Sequence, residues 1–132
     1  MSSQLKTYKI RDFIRKDASG ALDLERSKTL ARELAAVAGI HTDHNLLLDL
    51  RDTTVILGDM SQVIAVVSVF AQSLRAFPGK IASIIPSDPR RENYASMVAS
   101  LMQLRDVNYR YFTDYEAAIE WLADVETFRE AE

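Results

Sequence analysis

LLLDLRDTTVILGDMSQVIAVVSVFAQSLRAF, running from Leu46 to Phe77, is the stretch whose reading decides the fold. It opens as a buried strand: from Leu46 to Leu50 only Asp49 is polar, the pattern of a strand covered on both faces. Arg51-Asp52-Thr53-Thr54 then reads as a charged turn, and from about Asp59 the chain becomes apolar again. The valines and isoleucine between Val63 and Phe70 favour strand by local propensity. Topology argues otherwise, because a second buried strand, Ile81 to Ile85, follows, and parallel neighbours need a crossover, usually a helix. On a helix over 59–77, Met60, Val63, Val67, Phe70, Leu74 and Phe77 form one continuous stripe. A helix is therefore expected.

Working outward, the pattern of strands and helices continues. Tyr8 to Ile14 reads as a mixed first strand, broken at Asp12. Asp23 can cap a helix whose apolar stripe is Leu24, Ala31, Leu34 and Ala38, with Gly39 as the left-handed residue that ends it. Beyond Ile85, Asp88 is a cap and Pro89 a first helical residue, before an amphipathic run of Tyr94, Met97, Val98, Leu101 and Met102. A last strand spans about Val107 to Phe112. Thr113 to Glu116 reads as a capping box for a closing helix that buries Tyr115, Ala118, Ile119 and Leu122. The expected fold is α/β: a mixed, mostly parallel sheet of four to five strands with about four helices packed on it, in one domain over 1–132.

Composition narrows the function classes. A chain of 132 residues with 48% hydrophobic and 27% charged residues is an ordinary globular domain with a real core. The net charge of −3 argues against nucleic acid as a partner, since duplex binding usually needs a basic face. The absence of cysteine removes disulfides, thiol nucleophiles and thiolate metal sites. Met1 to Lys6 has no apolar signal core, and the Val63–Phe70 run is too short to cross a bilayer, so a cytoplasmic protein without stable membrane insertion is expected.

Three segments carry a family likeness: Ala18-Ser19-Gly20 before the first helix, LLLDLRDT at 46–53, and YRYFTDYEAAIEWL at 109–122. With the elements in this order the chain resembles the SpoIIAA-like family, of the bacterial STAS fold and, more distantly, that of CRAL-TRIO lipid-binding domains. The resemblance implies a regulatory binding module or a carrier of an apolar ligand; the residues themselves show no catalytic constellation, so neither an enzyme nor a cofactor is expected. In anti-anti-sigma factors of the STAS type a serine at the start of the second helix is phosphorylated, and the matching place here is Ser61, within Gly58-Asp59-Met60-Ser61-Gln62. The flanking residues differ from the family pattern, and Asp59 or Ser61 as a plain helix cap is preferred.

Other candidates come from the residues themselves. Arg51, Arg90 and Arg91 are expected near the carboxyl ends of the strands, where open α/β sheets bind ligands, and are candidates for an anion or an acidic partner. His41-Thr42-Asp43-His44 offers ligand-type side chains but no evident further ligand, so no metal site is assigned. No carboxylate pair, serine–histidine pairing or phosphate loop stands out. The strongest signal is the outer face of the 59–77 helix. Ala65, Ser68, Val69, Gln72 and Ala76 lie opposite the core stripe, and no residue between Asp59 and Arg75 is charged. An uncharged outer face suggests contact with another chain, a homodimer first or another regulatory protein, in preference to burial under another part of the same domain such as the N-terminal arm. The alternative is a small carrier or sensor of an apolar or anionic ligand, with Val67, Phe70, Met97 and Met102 as pocket walls.

Overall fold

The computed structural model describes residues 4–9, 12–56 and 59–129, with 4–9 and 124–129 as backbone alone. The order of elements is β1 (Gln4–Lys9), β2 (Phe13–Leu22), α1 (Leu24–Ile40), β3 (Asn45–Val55), α2 (Met60–Leu74), β4 (Ile81–Ile84), α3 (Pro89–Gln103), β5 (Tyr109–Phe112), α4 (Tyr115–Leu122) and β6 (Asp124–Arg129). Strands β2-β3-β4-β5 form one sheet in chain order, every pairing parallel. Among the described residues, antiparallel pairing, expected within a mixed sheet, is confined to a separate ribbon of β1 and β6. The single strand read over Tyr8 to Ile14 is two strands; Ile10 and Arg11 between them lie outside the described residues, as do Leu57 and Gly58.

Right-handed crossovers between strands laid down in chain order put every crossover helix on one face. Accordingly α1, α2 and α3 form one layer, with α2 in the middle and packed on both neighbours. Alternation along β3 divides the core. Leu46, Leu48 and Leu50 join Leu34, Val67, Ala71, Leu74 and Met102 beneath that layer. Leu47 joins Ala82, Ile84, Ala118 and Leu122 on the opposite face, under α4. Asn45 fastens α4 to the sheet: its buried amide donates to the Leu122 carbonyl at 2.8 Å and accepts from the Lys80 backbone N–H at 2.9 Å.

Four local readings need correction. Arg51 to Thr54 is strand rather than turn, because β2 runs on to Leu22 beside it and supplies ladder partners up to Val55. The register shifts between Asp17 and Ser19, so β3 carries an extra residue there, and Gly20 follows at φ 86°. Gly39 does not end α1: the helix continues to Ile40, and the His41 N–H closes it on the Val37 carbonyl. The cap of α4 is Asp114, which accepts from the Glu116 and Ala117 amides, and the Thr113 box does not form. Met60 is half-exposed rather than part of the stripe, since it stands in the first turn of α2, where the helix layer does not cover it.

Candidate functional site

Helix α2 is built by Asp59, whose carboxylate accepts from the Gln62 amide and, more strongly, from the Ser61 hydroxyl. These bonds hold the Asp59 carboxyl below its ordinary pKa, Ser61 contributing most. Ser61 is exposed, yet its hydroxyl is engaged by a carboxylate that would repel a phosphate placed on it. The cap reading describes the geometry.

The helix is buried through Val63, Val66, Val67, Ala71 and Leu74. Its outward row, four residues apart, is Met60, Ile64, Ser68 and Gln72, all exposed. Met60 is 51% and Ile64 42% exposed, large apolar side chains turned to solvent. Of the residues expected on this face, Ser68 and Gln72 are exposed and Ala65 and Val69 half-buried, while Ala76 is exposed but lies past the end of the helix, which stops at Leu74 rather than at 77. Ile64 was missed; a step of four back from Ser68 finds it. With no charge between Asp59 and Arg75, this is an unbroken neutral face on the middle helix of its layer.

The three arginines are not brought together. Arg51 lies past the carboxyl end of β4, but its side chain turns to the α4 side of the sheet. There Asp49, itself buried, accepts from Arg51 Nη2 at 2.6 Å, Arg51 Nε at 3.0 Å and Arg15 Nη2 at 2.9 Å. Both guanidinium groups sit over the Tyr115 ring, at 5.6 and 5.8 Å. The hydrogen bonds from Arg51, above all, hold the Asp49 carboxyl below the usual range. Arg51 thus serves a structural ion pair.

Arg90 and Arg91 open α3 on the other side, in a cleft with Thr53, Val55, Asp59, Asp88 and Tyr94. Arg90 is exposed. Arg91 is buried, only 8% exposed, and donates to the Thr53 carbonyl at 3.0 Å and the Thr53 hydroxyl at 2.8 Å. Burial lowers its pKa, against longer-range support from Tyr94, Tyr109 and Asp88. Behind it lies a cavity of about 70 Å³ between the helix layer and the sheet. Phe70 and Met102 line that cavity as expected, whereas Val67 and Met97 do not. His44 pairs with Asp43 at 2.7 Å, and among the described residues no three metal-ligating side chains converge.

No family model and no curated protein matches the chain. Among solved structures, it is similar to an uncharacterised protein of the DUF3478 family with a SpoIIAA-like fold from Shewanella loihica PV-4. The TM-score is 0.54 at 19% identity, covering 92% of this chain and 95% of that one. A further match is the anti-sigma factor antagonist SpoIIAA in its unphosphorylated form, with a TM-score of 0.42 and 12% identity over 80% of this chain and 100% of that one. The parallel four-stranded sheet, its helix layer and the likeness to the Shewanella protein together show that this chain has a SpoIIAA-like fold.

Proposed function

We propose that this protein is a non-enzymatic regulatory module that acts by binding, and that it forms a homodimer through the outer face of α2. The observation that carries this reading is the exposed row Met60, Ile64, Ser68 and Gln72 on a helix with no charge between Asp59 and Arg75. Exposed helix faces normally carry charges that keep them solvated. A neutral face offers nothing to a charged partner, but it matches a second copy of itself, and small side chains such as Ser68 let two helix backbones approach closely. Twofold pairing uses one patch twice, which makes it the commonest route to a dimer.

The test is molar mass by light scattering, in wild type and in Ile64→Glu. The wild type should give twice 14.9 kDa. The variant places two like charges across the twofold axis, and should weaken association by about 100-fold. Its fold should be unaffected, because Ile64 is exposed. Val69→Glu is the poorer choice, since Val69 is half-buried in the monomer. A monomeric wild type at high concentration contradicts the reading.

A second reading, a ligand carrier or sensor, is favoured by the cavity beneath α2 and α3. At about 70 Å³ it is far below the ~300 Å³ at which drug-sized pockets begin, so carriage of a long-chain lipid in this conformation is not supported.

A further inference from the structure

Two unusual groups line the cavity behind the cleft. Arg91 is a buried cation, and among the described residues no carboxylate lies within ion-pair distance; Asp88 acts on it only from farther away. Its two hydrogen bonds go to neutral oxygens of Thr53, and its remaining N–H groups have no protein acceptor among the described residues. Burying a cation without a counter-charge is costly in a low-dielectric interior. The second group is the Ser83 hydroxyl. It is fully buried on the sheet and makes no hydrogen bond of good geometry among the described residues. The Tyr109 phenol interacts with it weakly: burial pushes the Tyr109 pKa up to about 12, and Ser83 pulls against that shift.

Both groups face the same space, whose other walls include Leu50, Val66, Phe70 and Val98. Val55, Arg91 and Tyr94 line both the cavity and the open cleft at the carboxyl edge, so the two spaces adjoin there. We propose that this cavity binds a small monocarboxylate with a short apolar tail, its head on Arg91 at the cleft and its tail inside against the apolar walls, beside Ser83. The guanidinium fork fits a carboxylate through paired N–H donors, which supplies the missing counter-charge. Asp59 and Asp88 offset Arg90 and Arg91 among the charged residues of the cleft, which leaves no net positive charge to hold a dianionic phosphate. The tail must be short. An apolar cavity of ~150 Å³ takes benzene, so one of about 70 Å³ takes roughly three carbons. This site does not depend on the dimer, although Val66 and Phe70 place it directly beneath α2.

The experiment is an amide chemical-shift titration of the full chain with sodium butanoate, n-butanol and sodium octanoate. Butanoate should give saturable shifts centred on Ser83, Thr53 and Arg91. Butanol, which lacks the charge, and octanoate, which is too long, should each bind about tenfold more weakly or less. Arg91→Gln should abolish the preference for butanoate over butanol, and Val98→Phe, which fills the cavity, should abolish binding while leaving Arg91 in place. Four results overturn the proposal: no saturation by about 50 mM butanoate, shifts confined to Arg15 and Arg51, equal binding of butanol, or an Arg91→Gln variant that binds butanoate like the wild type. Because the wild-type comparison of three ligands decides on its own, poor folding of either variant does not shelter the proposal.

Discussion

Asn45 holds two parts of the molecule together through one buried amide, so Asn45→Ala should be costly out of proportion to its size. The substitution removes the donor to the Leu122 carbonyl, 77 residues away, and the acceptor for the Lys80 N–H. Leu122 is buried, and its carbonyl would lose that partner where water has little access, at roughly 1–3 kcal/mol. Lys80 is half-buried, so its N–H can recover water and the loss is nearer 1 kcal/mol. The sum is about 2–4 kcal/mol, which for a domain of this size lowers Tm by roughly 10 °C. Urea unfolding at pH 7 reads the stability, with the exposed Asn93→Ala as a control expected to stay within about 0.5 kcal/mol. Asn45→Asp sharpens the test. A carboxylate still accepts from Lys80 but cannot donate to Leu122, and it buries a charge; protonation restores a donor. The Asp variant should therefore be at least as unstable as the Ala variant at pH 7, and recover part of the loss as the pH falls towards 4. A loss below about 1 kcal/mol for Asn45→Ala, or an Asp variant without such recovery, refutes the assigned role.

Asp49 carries a pH signature of its own. Its pKa is depressed in the fold by Arg51, so its stabilising contribution is present above the unfolded carboxylate value and lost as the pH falls through the lower folded value. The stability gap between wild type and Asp49→Asn, measured in urea, should be constant from pH 7 to 5 and shrink only in the acid range below the ordinary value of 3.8. Gly79→Ala should destabilise strongly, by more than about 2 kcal/mol, since a methyl there would stand 2.7 Å from the His44 carbonyl oxygen. Thermal melting checks it, and a neutral result would mean that this loop packs differently.

The sequence made the frame legible where physics is local or topological. Four leucines around Asp49 are enough to mark a strand buried on both faces, and the need for a crossover before Ile81 correctly overrode the strand propensity of the α2 valines. What it hid depends on distant partners. Arg51 to Thr54 looked like a turn because nothing in those residues says that polar β2 continues alongside as far as Leu22. Asp49 stands out in the sequence only as the one polar residue of a buried strand, but its role is set by Arg51 and by Arg15, 34 residues earlier. The neutral face of α2 was visible as missing charge, whereas its centre at Ile64 depended on the helix's rotation in the layer. The cavity had no local signature, because it arises where three helices and a sheet fail to close around Ser83 and Arg91. The arginines illustrate the same limit of spacing: alternation along β3 sends Arg51 to one side of the sheet while Arg91 enters from the other.

The absence of cysteine from the chain makes the central claim directly measurable. A single Ser68→Cys places one thiol on the exposed row of α2, and Ser96→Cys places one on an exposed position of α3 as a control. If two copies pair through α2 about a twofold axis, mild oxidation should convert most of the Ser68→Cys protein to a covalent dimer at low concentration and leave Ser96→Cys largely monomeric. Equal cross-linking of the two variants, or none at Ser68→Cys, would contradict a dimer built on the neutral face of α2.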